Sequence, residues 1–246
     1  MTKISIVLPT KNSEKYVSQA INSVQMQNFV DWELLVCDSQ STDKTLDIIN
    51  HKIKKDNRIK IVSYEDTGVA EALNIGFKFA TGKIFSWLNS DDFYTSNKVL
   101  EIIDKNFLDK CNHDYLVGDF FNVDVNGNIF KSFISYLPNF KIDKNFFYNQ
   151  VFTGSLFFTS KSFKKFGNFN LKYKYAFEYD LLVFLLKNFY GKHKNFFFSC
   201  FRISNNQLSS NRDKLKEEMM EILSHYNLKY SNSKLLRLIC YIKPRY

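Results

Sequence analysis

Along the first half of the chain, short unbroken apolar runs alternate with segments in which apolar residues return every three or four positions. Ile4-Ser5-Ile6-Val7-Leu8 is stopped by Pro9, and Tyr16, Ala20, Ile21 and Val24 then recur at helical spacing. Glu33-Leu34-Leu35-Val36-Cys37 predicts a second strand. Ser41-Thr42-Asp43 supplies cap chemistry for a helix carrying Leu46, Ile49 and Ile53. Ile59-Lys60-Ile61-Val62 predicts a third strand, residues 69–80 a helix ended by Gly82, and residues 83–88 a fourth strand. Strands alternating with helices at this spacing predict an α/β fold with a parallel sheet wound by right-handed crossovers.

After about residue 115 the texture becomes aromatic. Tyr115-Leu116-Val117 and residues 120–125 read as strands, and Asn126-Gly127 as a hairpin turn back into Ile129-Phe130. A strand near residues 155–158, an amphipathic helix over 178–188 and a strand over 195–202 follow. The organisation expected is one continuous domain over 1–212, with a nucleotide-type half (1–114) and a mixed half (115–212). A charged helix and a basic tail follow over 213–246.

Composition narrows the class. With 246 residues, 45% of them hydrophobic, and only 8 Gly and 3 Pro, the chain can bury a sizeable core and is neither disordered nor collagen-like. The net charge of +9 suits an anionic partner without choosing among nucleic acid, nucleotide and membrane. Cys37, Cys111, Cys200 and Cys240 are scattered, with no CxxC pair and no His at ligand spacing, so neither a zinc site nor a disulfide framework is expected. The N-terminus MTKISIVLPTKN has no signal-peptide apolar region, and no apolar run is long enough to span a bilayer. The expectation is a cytoplasmic protein, soluble or peripheral.

In an open α/β sheet, ligands sit beyond the carboxyl ends of the strands. Pro9-Thr10-Lys11-Asn12, Asp38-Ser39-Gln40-Ser41, Glu65-Asp66-Thr67-Gly68 and Asn89-Ser90-Asp91-Asp92 follow the four strands in turn. Each alone reads as a polar turn; together they bring acidic or amide groups to one edge. The phosphate cradles GxGxxG and GxxxxGK followed by Ser or Thr are absent. A diphosphate at an acidic edge needs a cation between the charges, and Asp oxygens suit Mn2+ or Mg2+. That gives the adjacent carboxylates in WLNSDDFY a use, although each raises the cost of ionising the other.

These strings, with GSLFF, FGNFN and YAFEYDLL further on, resemble the family 2 glycosyltransferases of the GT-A fold, especially bacterial polysaccharide members, from about residue 3 to 210. The resemblance implies a Rossmann-like, mostly parallel central sheet flanked by helices, with a mixed second half. It implies inverting sugar transfer from a nucleotide-diphosphate donor, UDP being common in the family, to a glycan or lipid-linked acceptor, with a divalent metal. It puts Pro9, Thr10 and Asn12 beside the nucleotide, and Asp38 and Asp66 at the base and ribose. Asn89-Ser90-Asp91 falls where the family carries its D-x-D metal motif, with Asn89 in place of the first Asp. Asp91 is then the metal ligand, and Asp92 a second ligand or a donor-sugar contact. The family's catalytic base matches Glu178, where Asp is usual, with Asp180 in reserve. Residues two apart on a helix face different ways, so the two do not serve together. Arg202, in a stretch resembling a C-terminal family segment, either steadies the diphosphate or is an ordinary surface Arg.

Lys234, Arg237, Lys243 and Arg245 flank apolar residues in the tail, which could rest on an anionic membrane at the inner face of the cell or pack on the domain. A nucleotidyltransferase would carry a Gly-rich phosphate loop after the first strand, which PTKNSEKY lacks. A nucleic-acid binder would interleave basic and aromatic residues on one element, whereas the expected edge is acidic. No nucleic-acid partner is therefore expected.

Overall fold

The computed structural model describes residues 3–65, 68–108, 113–135, 145–146, 151–204, 207 and 211–230. Asp66 and the basic tail with Lys234, Arg237, Lys243 and Arg245 lie outside the described residues.

The first half is built from β1 (Ile4–Thr10), α1 (Val17–Gln25), β2 (Trp32–Asp38), α2 (Thr45–Ile53), β3 (Ile59–Ser63), α3 (Val69–Phe79), β4 (Ile84–Trp87), β5 (Phe93–Tyr94) and α4 (Val99–Leu108). The second half has β6 (Tyr115–Val123), β7 (Ile129–Phe133), β8 (Asn145–Phe146), a 3-10 turn (Thr153–Ser155), β9 (Leu156–Thr159), α5 (Ser160–Phe166) and α6 (Phe177–Asn188). It ends with β10 (Gly191–Arg202), α7 (Arg212–His225) and β11 (Lys229–Tyr230). The main sheet runs β3-β2-β1-β4-β9-β6-β10-β5, with β7 on β6; β8 and β11 form a separate pair. The first four strands are parallel as expected, and β10 is parallel to β6; β9, β7 and β5 pair antiparallel, which makes the sheet mixed.

Alternation along each strand splits the core into two layers. Ile4, Ile6 and Leu8 of β1, Leu116 of β6 and Phe157 of β9 pack with α1 and α4 on one face. Val7, Tyr115, Val117, Leu156 and Phe158 pack with α3, α5, α6 and α7 on the other. After β3 at one edge the chain returns across β1 to form β4, so the loops after β1 and β4 diverge and leave a crevice at the switch point.

Several local expectations need correcting. Pro9 does not stop β1, which pairs with β2 through Thr10. Pairing with β4 ends at Val7, and Pro9, one alternation on, turns its nitrogen to that unpaired side, where no N–H is needed. Gly82 does not cap α3, whose last residue is Phe79 with Ala80 already extended. Gly82 is required by close approach, since a Cβ there would lie 2.6 Å from the Lys3 carbonyl. The two strands expected over 115–125 are one, β6. The helix over 178–188 is buried nearly all round rather than amphipathic, because α7 covers its polar side.

Candidate functional site

The described residues of all four strand-end loops meet in one cleft of about 730 Å³. β1 contributes Pro9 through Ser13, β2 contributes Ser39, β3 is followed by Tyr64 and Gly68, and β4 by Asn89, Ser90 and Asp91. The second half completes the lining with Lys174, Tyr175, Phe177 and Glu178.

The first two loops are knit by their own polar groups. Asn12 adopts the left-handed region (φ 46°); its N–H donates to Ser41 Oγ at 2.9 Å and its Oδ1 accepts from the Thr42 N–H at 2.9 Å. Asp38 is fully buried. Its Oδ2 accepts from the Ser41 N–H (2.9 Å) and its Oδ1 from the hydroxyls of Ser41 (2.6 Å) and Thr10 (3.3 Å). Asp38 therefore shapes the loop, while Thr10 and Asn12 reach the cleft.

The loop after β4 separates its two carboxylates. Asp91 faces the cleft; burial holds its carboxyl above the usual range, with the Gln207 amide and the Arg202 charge drawing it part of the way back. Asp92 is 1% exposed, and its oxygens accept from the Arg202 N–H (2.9 Å) and the Asn89 amide (3.0 Å). Burial, then the neighbouring Asp91 charge, push its carboxyl well up. Arg202, expected on the diphosphate, is itself 1% exposed and lies behind the cleft wall. Its guanidinium donates to the carbonyls of Asp91 (2.8 Å), Asp124 and Val125 (3.1 Å each) and to Gln19 Oε1 (2.6 Å), and stacks on Tyr16 at 4.3 Å. With four donors engaged by the protein, its role is to frame the loop.

The first turn of α6 parts Glu178 from Asp180. Glu178 opens on the cleft; burial pushes its carboxyl up to about 7, and the Thr153 hydroxyl and Trp87 indole N–H pull it back in part, although neither closes to a full hydrogen bond. Asp180 points to the end of α7, where Tyr226, just past the helix, donates to it at 2.8 Å. One cleft is thus lined by a carboxylate fit to hold a cation and by a carboxylate with proton affinity near neutral.

The sequence model of "Glycosyl transferase family 2" matches residues 5–201 of the 246. The chain belongs to glycosyl transferase family 2. This family 2 member is 29% identical over 228 residues to the Escherichia coli UDP-Glc:alpha-D-GlcNAc-diphosphoundecaprenol beta-1,3-glucosyltransferase WfgD, covering 91% of this chain and 86% of that one. It is 28% identical over 197 residues to the hyaluronan synthase of Pasteurella multocida, covering 78% of this chain but only 19% of the synthase. In fold it resembles S. aureus TarS 1-349 in complex with UDP-GlcNAc, with TM-score 0.71, 22% identity, and coverage of 90% of this chain and 66% of that one. It also resembles the mannosyltransferase PcManGT from Pyrobaculum calidifontis in complex with GDP-Man and Mn2+, with TM-score 0.68, 14% identity, and coverage of 92% and 64%.

Sequence reasoning left several lining residues of the family 2 cleft unassigned. Lys11, Lys15 and Lys174 bring positive charge to it, and Tyr16, Tyr175, Phe152 and Phe201 bring flat apolar surface. Lys11, Lys15 and Tyr16 lie within PTKNSEKY, whose position after β1 was the available signal; Lys174 stands just ahead of α6 without one. Among the described residues no group of three or more His, Cys, Asp or Glu converges as a ready-made metal cage, and no helix is long and apolar enough to cross a membrane. Asp91 nevertheless suits Mn2+ or Mg2+. Its burial leaves charge for a cation to balance, and such ions complete their shells with water and substrate phosphate.

Proposed function

We propose that the chain transfers a glycosyl group, with inversion, from a nucleotide-diphosphate sugar to a hydroxyl of a glycan or lipid-linked acceptor in bacterial surface polysaccharide synthesis. A uridine donor is favoured, with the reaction at the cytoplasmic face of the membrane. Carrying most weight is that Asp91 and Glu178, from distant parts of the chain, line one cleft at the switch point of the sheet.

In this reading Glu178 takes the proton from the acceptor hydroxyl as its oxygen bonds to the anomeric carbon. A base with proton affinity near 7 is matched to that task at neutral pH. The bond from the anomeric carbon to the diphosphate breaks, and its electron pair leaves on the diphosphate. Lys11, Lys15 and Lys174 offer charge to that leaving group. Asp91 would hold Mn2+ or Mg2+, which when bound supplies neutralisation of the departing diphosphate. Tyr16 and Tyr64 offer faces for the base and sugar.

The experiment is a thermal-shift panel of UDP-, GDP- and dTDP-sugars with and without Mn2+ or Mg2+. Metal-dependent stabilisation by a UDP-sugar is expected; no stabilisation by any nucleotide sugar under either condition would defeat the proposal.

A further inference from the structure

The wall that carries Glu178 is held by a residue outside the family-matched region. α6 begins at Phe177, and its N-cap residue, Ala176, has no side chain to cap it. Three successive main-chain N–H groups there all turn to one carboxylate from α7. Lys174 N–H donates to Glu218 Oε1 at 3.0 Å, and the Tyr175 and Ala176 N–H groups both donate to Oε2 at 2.7 Å. The Ala176 carbonyl in turn accepts from Tyr179 (2.9 Å) and Asp180 (3.3 Å), closing the first turn of α6 around Glu178. One residue, Ala176, therefore joins Glu218 through its N–H to the turn bearing Glu178 through its carbonyl.

The segment from Phe169 to Ala176, a strap leading into α6, has a further anchor at its start. Its beginning is tied to α3, where Asn74 exchanges two hydrogen bonds with the main chain of Phe169 (2.8 and 3.0 Å). Between the anchors Tyr173 is buried in the core, while Leu171, Lys172 and Lys174 are exposed, so one side chain seats this stretch. α7 adds a second link, with Lys214 at 5.9 Å from the Tyr175 ring centroid. Met219, Ile222 and Leu223 seat the helix in the core, so Glu218 projects from a rigid support.

We propose that Glu218 is a positioning residue of the transferase site: it fixes the strap that presents Lys174, Tyr175 and Glu178 to the cleft. This rests on Glu178 being the base. A helix beyond the matched region 5–201 would then set the geometry of the reaction. Of the groups proposed to meet the donor, Thr10, Asn12, Lys11, Lys15 and Asp91 lie off the strap, and Lys174 alone of the three lysines lies on it. Loss of Glu218 thus falls on turnover more than on nucleotide affinity, since small misplacements of a reacting group are costly.

The test uses the full chain with Glu218→Ala, Glu218→Gln and Glu221→Ala. The last removes the Lys172 ion pair from the same helix while leaving residues 174–176 alone. Three quantities are read: hydrogen exchange of amides 174–176, UDP affinity, and the rate of UDP release from UDP-glucose and UDP-N-acetylglucosamine with Mn2+. For Glu218→Ala, exchange at those amides rises at least about tenfold and turnover falls about tenfold or more, with UDP affinity within about twofold. Glu218→Gln keeps an oxygen for the Tyr175 and Ala176 N–H groups and recovers most of the rate; Glu221→Ala stays near wild type. Unchanged exchange at 174–176, wild-type turnover in Glu218→Ala, or a parallel loss of UDP affinity and melting temperature would overturn the proposal. If the wild-type protein releases no UDP from either sugar, the uridine-donor reading fails, and the amide exchange still decides what Glu218 holds.

Discussion

The main-chain N–H of Arg202 donates to Asp92 Oδ1 at 2.9 Å, and the buried Arg202 guanidinium lies against the same loop. This is how the chain tolerates adjacent carboxylates at a strand end. One carboxylate is turned inward and satisfied by protein donors, the other is turned to the cleft, and a buried positive charge stands behind both. The guanidinium also ties the β6–β7 hairpin to α1 through Asp124, Val125 and Gln19.

Arg202→Lys is therefore expected to damage the frame before it damages binding. An ammonium cannot reproduce the fork that serves three carbonyls and one amide oxygen. Stranding buried acceptors should cost on the order of 2–4 kcal/mol, read as a lower urea midpoint. A variant with a wild-type midpoint that has lost UDP-dependent stabilisation would return Arg202 to the donor.

Asp91→Asn should separate binding from folding. The raised folded pKa of Asp91 means that its charge costs stability as pH rises above the unfolded value, so the neutral amide removes that cost. At pH 7 without metal the variant should melt no lower than wild type. Metal-dependent stabilisation by UDP-sugars should vanish. Retained metal-dependent stabilisation would move the ligand role off Asp91.

How much of this was legible in the sequence depends on how local each feature is. The four strand ends meeting at one edge follow from runs of four to six residues and the turn residues after them, and β1 to β4 carry that information in themselves. The insertion of β9 between β4 and β6 and the placing of β5 at the far edge are set by pairings distant in sequence, which no local period encodes. β6 was read as two strands because Gly118 and Asp119 interrupt its apolar run. Asp119 is buried inside the strand against His193 (2.7 Å) and the Ser135 N–H (3.0 Å), and Gly118 makes room for the Phe198 ring. In the site, WLNSDDFY announced two carboxylates but not which one points inward. That is decided by Arg202, 110 residues away from Asp92.

Gly76→Ala should destabilise, against helix propensity. Gly76 sits within α3, where Ala would ordinarily gain about 1 kcal/mol. A Cβ there would lie 2.4 Å from Val7 Cγ1 and 3.0 Å from Cys37 Sγ, both fully buried. Overpacking of about 1–3 kcal/mol should outweigh the gain. The thermal midpoint should fall by a few degrees, and an unchanged or higher midpoint would show that β1 yields to α3.

If Glu178 is the base, one proton links catalysis and stability there. As a base it must be ionised, so transfer should rise with pH along an acid limb centred near 7, and Glu178→Gln should keep donor binding while losing transfer. Its folded value of about 7 exceeds the ordinary 4.5, so the folded state keeps a proton that the unfolded chain has released between those values. Stability therefore falls as pH rises through that window, and the cost is complete above about pH 7. Glu178→Gln should be more stable than wild type at pH 8 by about 1–3 kcal/mol after allowance for its opening to the cleft, and equal to it near pH 4. Urea unfolding at the two pH values measures the difference. Equal stabilities at pH 8, or an acid limb near pH 4.5, would mean that Glu178 titrates as an ordinary carboxyl; transfer surviving in Glu178→Gln would move the base elsewhere.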